Sequence, residues 1–273
     1  MKHSLAVITA LIFTILLGGC SIFGAPTILD ETKGWNLERL YSEAEAKMRE
    51  RDWDKAISYY QILESRYPHG RHAMQAQLEV AYAYFKKNEP VLSIAAADRF
   101  IKMHPNHPNI DYAYYLKGIA TFNDRGVVEK LTRQGISDRD PKSLRASFFA
   151  LKELVTRYPE SRYAKDATLR MTYLVNQLAD HELHVARYYM KRKAYVAALN
   201  RAKFAIESYP DSTSNEEALV IMISAYDLLE MDDLKQGTLK VLQANYPDSP
   251  MLGKGVPSEG RAWWKFWESL YSR

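Results

Sequence analysis

The chain has 273 residues with 37 basic and 33 acidic side chains, a formal charge of +4 and a single cysteine. The two signs are mixed along the chain, so there is no phosphate-binding footprint and no nucleic-acid partner is expected. One cysteine cannot close an intrachain disulfide, so the fold must rest on apolar burial.

Lys2 and His3 open the chain, and Leu5 to Leu17 is an apolar run of 13 residues. That is a signal-peptide length, short of the ~20 residues of a spanning helix. The run ends in Leu17-Gly18-Gly19-Cys20, which resembles the lipobox of bacterial lipoproteins. Small residues ahead of Cys20 let a peptidase reach the backbone. The thiol would then carry a diacylglycerol with palmitate-type chains, and the freed amine a third chain. At ~0.8 kcal/mol per buried methylene, several chains anchor almost permanently. The competing reading is an ordinary secreted protein with a chance cysteine. Ser21, where an aspartate would signal inner-membrane retention, directs the expectation to the outer membrane. The expected divisions are a signal peptide over 1–19, a lipidated linker over 20–34, repeats over 35–250, and a linker with a Trp-rich amphipathic tail over 251–273.

Five punctuation marks divide the repeat region: Tyr67-Pro68, His104-Pro105, Tyr158-Pro159, Tyr209-Pro210 and Tyr246-Pro247. The proline intervals are 37, 54, 51 and 37 residues, so two exceed the shared period by 17 and 14. Twelve residues before each proline stand Ala56, Ser93, Ser147, Ala198 and Lys235. Twelve before those stand Ala44, Ala81, Ala186 and Ile223, with Gly118 in the third unit once its 17-residue excess is allowed for. Small residues at these places let two antiparallel helices approach closely. Three residues further on stand Lys47, Tyr84, Thr121, Tyr189 and Tyr226, and where the residue is aromatic it fills the space towards the next pair. The proline ends the second helix.

This pattern resembles the tetratricopeptide repeat. The expected fold is all-α, a solenoid of five helix pairs: 36–51 with 53–66, 71–87 with 90–103, 108–122 with 143–157, 161–191 with 194–208, and 214–230 with 232–245. The fifth unit, with Ile223 and Lys235 at its small positions, reads as an end cap. The 17-residue excess falls within 123–142, where Gly126, Gly135, Asp138 and Pro141 read as a loop and Asp140 as a helix cap. The 14-residue excess lies in a stretch free of glycine and proline from Ser161 to Tyr209. It lengthens the first helix of unit four by about four turns.

Catalytic motifs are not apparent. His69/His72, His104/His107 and His181/His184 are spaced by three, and H-E-L-H is not the H-E-x-x-H of metalloproteases. With neither cysteines nor carboxylate clusters to complete a ligand set, no metal is expected. There is no glycine-rich phosphate loop and no G-x-S-x-G. No cofactor is expected beyond the covalent lipid, and the chain reads as a binding scaffold rather than an enzyme. Tyr59, Tyr60, Tyr82, Tyr84, Tyr112, Tyr114 and Tyr115 suit either the core or a binding face.

Local strings narrow the resemblance: Arg66-Tyr67-Pro68, Asp98-Arg99-Phe100-Ile101, His107-Pro108-Asn109-Ile110-Asp111-Tyr112, Ser137-Asp138-Arg139-Asp140-Pro141, and Val196-Ala197 with Asn200-Arg201. From Cys20 to about residue 250 the chain resembles the BamD, or competence lipoprotein, family of outer-membrane protein assembly factors. The resemblance implies a periplasm-facing lipoprotein of the barrel-assembly (BAM) complex. It would dock on the POTRA domains of BamA, sit beside the other BAM lipoproteins and receive nascent outer-membrane proteins. It places Tyr67 at a client-recognition position and Arg201 at a BamA contact. Tyr67 equally suits packing on the turn proline, and Arg201 a solvated helix position. A charge reversal at Arg201 is expected to release BamA and leave the fold intact. The alternative is another periplasmic repeat adaptor, for example one coordinating peptidoglycan enzymes.

The tail departs from that family. After a linker from Pro250 to Pro257, Trp263, Phe266, Trp267, Leu270 and Tyr271 fall at i, i+3, i+4, i+7 and i+8. The stripe, with Trp263, Phe266 and Trp267 as its interaction residues, suits a cap on unit five, a partner groove or the membrane interface. The linker and a weak local charge put the partner groove first.

Overall fold

A computed structural model describes residues 31–122, 141–250 and 252. The described residues form ten α-helices in five antiparallel pairs: α1 (Leu37–Glu50) with α2 (Trp53–Arg66), α3 (Arg71–Lys86) with α4 (Pro90–Met103), α5 (Ile110–Phe122) with α6 (Pro141–Arg157), α7 (Ala164–Lys191) with α8 (Tyr195–Ser208), and α9 (Asn215–Leu228) with α10 (Asp232–Asn245). Each helix packs on the one before it. Successive first helices also touch (α1 with α3, α3 with α5, α7 with α9). No described helix is long and apolar enough to cross a membrane.

The small positions are where the helices of a pair meet. Ala44, Ala56, Ala81, Ser93, Ser147, Ala186 and Ala198 are all fully buried. Burying a hydroxyl requires an acceptor. The Ser93 hydroxyl donates to the Ala81 carbonyl at 2.9 Å, and Ser147 donates to the Gly118 carbonyl at 2.9 Å. A Cβ on Gly118 would stand 2.3 Å from Leu151 Cδ2, so this crossing leaves no room for a side chain. In unit five the ammonium of Lys235 reaches Asp227 at 2.5 Å, which keeps the longer side chain at the crossing paired.

Four of the five turns within pairs share one backbone feature. Arg51, Asn88, Lys193 and Glu230 all adopt a left-handed conformation with φ between 58° and 62°. Each stands 17 residues before the proline of its unit. The turns between units also repeat. The amides of His107, Ser161, Ser212 and Ser249 donate to the carbonyls of His104, Tyr158, Tyr209 and Tyr246 at 3.0–3.1 Å. The first such turn differs and runs through Gly70 at φ 104°.

The 28-residue α7 spans two hydrophobic clusters. Its first half (Ala167, Leu174, Leu178) packs with Leu151 and Leu154 of α6, and its second half (Leu183, Ala186, Met190) packs with α8 and α9. The extra turns thus hold units three and five to one continuous rod.

Ahead of α1, a short lead-in is fixed to the flank of α2. The Arg66 guanidinium donates to the Thr32 carbonyl at 2.7 Å and to its hydroxyl at 2.8 Å. The Tyr59 hydroxyl donates to Glu31 at 2.6 Å, which pushes the phenol up to about 12. Trp35 sets its ring edge-on to Tyr59. Thr32 is buried as a result.

Candidate functional site

The rod formed by α7 carries a carboxylate on an apolar stripe. Leu178, Glu182 and Ala186 fall at i, i+4 and i+8 and all three are buried, with the Glu182 side chain 6% exposed. A charge so placed needs partners from neighbouring helices. Arg201 of α8 supplies one, with Nη1 donating to Glu182 Oε2 at 3.0 Å. Arg145 of α6 approaches the other oxygen at 3.9 Å and donates to the Tyr209 hydroxyl at 3.3 Å. The two arginines stay 44% and 47% exposed. Two guanidiniums thus share one buried carboxylate, leaving one positive charge in excess at the surface between α6 and α8.

Arg201 is therefore neither free nor simply solvated. Glu182 fixes its position, and this bears on the expected charge reversal: a carboxylate at 201 would face a buried carboxylate, so the change should cost stability as well as charge. Nothing in the local sequence around Arg201 signals this partner. The available clue was the charge at position 182 on an otherwise apolar helix face.

A second pair joins α7 to α9. Arg187 meets the buried Glu217 at 2.5 Å; burial raises the Glu217 carboxyl above its ordinary value, while Arg187 works in the opposite direction.

The first-helix side of units one to three is lined by aromatic rings. Tyr41 lies edge-on to His72 at 5.1 Å, joining α1 to α3. Tyr163 stacks on Tyr115 at 4.8 Å and lies 5.3 Å from Tyr112, joining α5 to the start of α7. The Tyr115 hydroxyl donates to Asp166 at 2.7 Å, and Arg170 Nε lies 2.6 Å from the same oxygen. Burial works against ionisation of Asp166, but these two hydrogen bonds hold its carboxyl below the ordinary value. Glu79 of α3 is raised, chiefly by burial, and accepts from Gln75 at 2.7 Å. Tyr59, Tyr60 and Tyr114 belong to the core, whereas Tyr82, Tyr84, Tyr112 and Tyr115 are only half-buried.

Tyr67 closes α2. Its amide donates to the Leu63 carbonyl at 2.8 Å, and its half-buried ring packs on the cluster of units one and two. A cavity of about 250 Å³ opens between α2, α3 and α4. Val80, Leu92 and Ala96 form its apolar wall, and Glu64, Gln77 and Arg99 its polar one.

The turn histidines have local partners. His104 Nε2 lies 2.9 Å from Gln77 Oε1, and His107 Nδ1 accepts from the Asn109 amide at 3.1 Å. Cys20, Trp263, Phe266, Trp267 and the 123–140 part of the insertion lie outside the described residues.

Five antiparallel helix pairs, joined through small residues and punctuated by aromatic–proline turns, define a tetratricopeptide-type repeat protein. Solved structures match only remotely: the crystal structure of MamA covers 77% of this chain and 94% of its own at 16% identity and a TM-score of 0.33, so the fold assignment rests on the helix pairs themselves. Residues 35–242 match the family model YfiO, described as an outer membrane lipoprotein. The chain is 47% identical over 237 residues to outer membrane protein assembly factor BamD of Neisseria meningitidis serogroup B, covering 86% of this chain and 89% of that one. It is 35% identical over 239 residues to BamD of Vibrio cholerae (87% and 97% covered) and 36% over 265 residues to BamD of Xylella fastidiosa (97% and 87% covered). The chain belongs to the BamD family.

Proposed function

We propose that this protein is a non-enzymatic scaffold of outer-membrane protein assembly, anchored through a lipid on Cys20 and facing the periplasm. Its membership of a family of outer membrane protein assembly factors carries this reading. The division of the stack supports the finer assignment. Units one and two offer half-buried tyrosines and a cavity of about 250 Å³ for an extended client segment, with Tyr67 packed on the hydrophobic cluster that includes Val80 and Ala96 of the cavity wall. Unit four offers Arg201, held by Glu182 yet nearly half exposed, for an acidic surface of the POTRA domains of BamA. The other BAM lipoproteins complete the assembly.

Affinity purification of the lipidated protein from detergent-solubilised outer membranes tests this. BamA is expected to co-purify, and Arg201→Gln, which removes the charge without placing a second carboxylate on Glu182, should deplete it. Recovery of cell-wall enzymes with no BamA would refute the proposal.

A further inference from the structure

The charge excess at Arg145 and Arg201 lies among exposed aromatic rings. Phe149, one turn along α6 from Arg145, is 62% exposed, while its neighbour Phe148 is partly buried in the core beside it and meets its ring edge-on at 5.7 Å. Phe204, on α8 three residues beyond Arg201, is 40% exposed and sets its ring at right angles to Tyr209 at 6.3 Å. Tyr209 is the same residue that accepts from Arg145. Helix spacing puts Phe149 on the Arg145 face of α6 and Phe204 on the Arg201 face of α8, and the two faces meet at Glu182 and Tyr209.

We infer that Arg145, Phe149 and Phe204 form one docking surface with Arg201, built for a partner protein that presents a carboxylate beside an apolar side chain. This deepens the proposed contact at Arg201 and rests on it. Each guanidinium is a planar fork of five donors suited to carboxylate geometry, and anchoring it beforehand lowers the entropy lost on docking. Glu182 provides that anchoring as a positioning residue. Arginine and aromatic side chains in this arrangement are the typical energetic centre of an interface. An anionic bilayer fits less well: the two arginines on Glu182 leave one positive charge in excess, a weak attraction of about 1 kcal/mol for an anionic lipid surface, whereas one carboxylate of a partner protein matches it.

The test uses the full lipidated chain, with BamA as the probe. Phe149→Ser alters an exposed side chain and should leave the melting temperature unchanged; Phe204→Ser also gives up its ring contact with Tyr209, so recovery is read well below its melting temperature. Each is expected to lower BamA recovery about tenfold, and Arg145→Gln should add a salt-dependent loss. If Arg201→Gln releases BamA while both phenylalanine variants and Arg145→Gln retain it fully, the extended surface is refuted and the contact at Arg201 stands. If Arg201→Gln also retains BamA, both assignments fail. Binding to phosphatidylglycerol vesicles that is lost in the phenylalanine variants, with BamA recovery unchanged, would overturn the protein partner in favour of lipid.

Discussion

Gly118→Ala is expected to destabilise the protein, although alanine is the better helix former. The substitution gains about 1 kcal/mol of helix propensity. Against this, the new Cβ would lie 2.3 Å from Leu151 Cδ2 and 2.7 Å from its Cγ. The whole isobutyl group must move, not only its tip, and Leu151 is fully buried between α5, α6 and α7. Overpacking of a closed site costs about 1–3 kcal/mol, and a Cγ contact belongs at the upper end of that range. The net loss is about 1–2 kcal/mol, or roughly 2–8 °C of melting temperature for a domain of this size. Leu151→Ala alone should cost about 2–5 kcal/mol through the cavity it leaves. In the double variant the alanine at 118 no longer meets Leu151, so the two losses should fall short of their sum. Urea melts of the soluble chain read all three variants. A Gly118→Ala protein that melts at or above the parent, or losses additive within about 0.5 kcal/mol, would refute the tight crossing.

Glu230→Gly should raise stability by up to about 1 kcal/mol, because glycine carries no Cβ penalty at the left-handed position; a loss in differential scanning calorimetry would contradict the shared turn geometry. Glu79→Gln should raise the melting temperature at pH 8. Burial raises the folded carboxyl above the ordinary 4.5, so the glutamate's stabilising contribution is complete below 4.5 and is lost as pH rises through the folded value; the advantage of glutamine should vanish towards pH 4. A gain that persists unchanged at pH 4 would point to a different cause. Arg201→Glu should lower the melting temperature by several degrees. Removing one partner of a buried pair costs about 3–5 kcal/mol when both are buried, and less here because Arg201 is 47% exposed. An unchanged melt would show that Glu182 does not depend on Arg201.

Helix limits were legible because proline and small residues act locally: every observed helix falls within about three residues of its expected span, and the four extra turns of α7 follow from the missing glycine and proline between Ser161 and Tyr209. The left-handed turn residues were not legible. Three of the four are Arg, Lys and Glu, types with no preference for that conformation, held there by the packing of the helices on either side. The partnership of Glu182 with Arg145 and Arg201 was hidden for a different reason. It depends on how α7 rotates between α6 and α8, and spacing along the sequence does not give that angle. The candidate residue Arg201 was legible through family resemblance, but its support was not.

The attachment of the lead-in to α2 sets how the scaffold can be pulled. If lipid is carried at Cys20, the leash ends at Glu31, so only the 11 residues 20–30 are available to span the gap, at most about 40 Å. Tension on that leash meets the Arg66–Thr32 and Tyr59–Glu31 bonds before it reaches α1. These bonds, backed by Trp35 edge-on to Tyr59, act as a strain relief: they must give way before a pull from the membrane loads the first repeat.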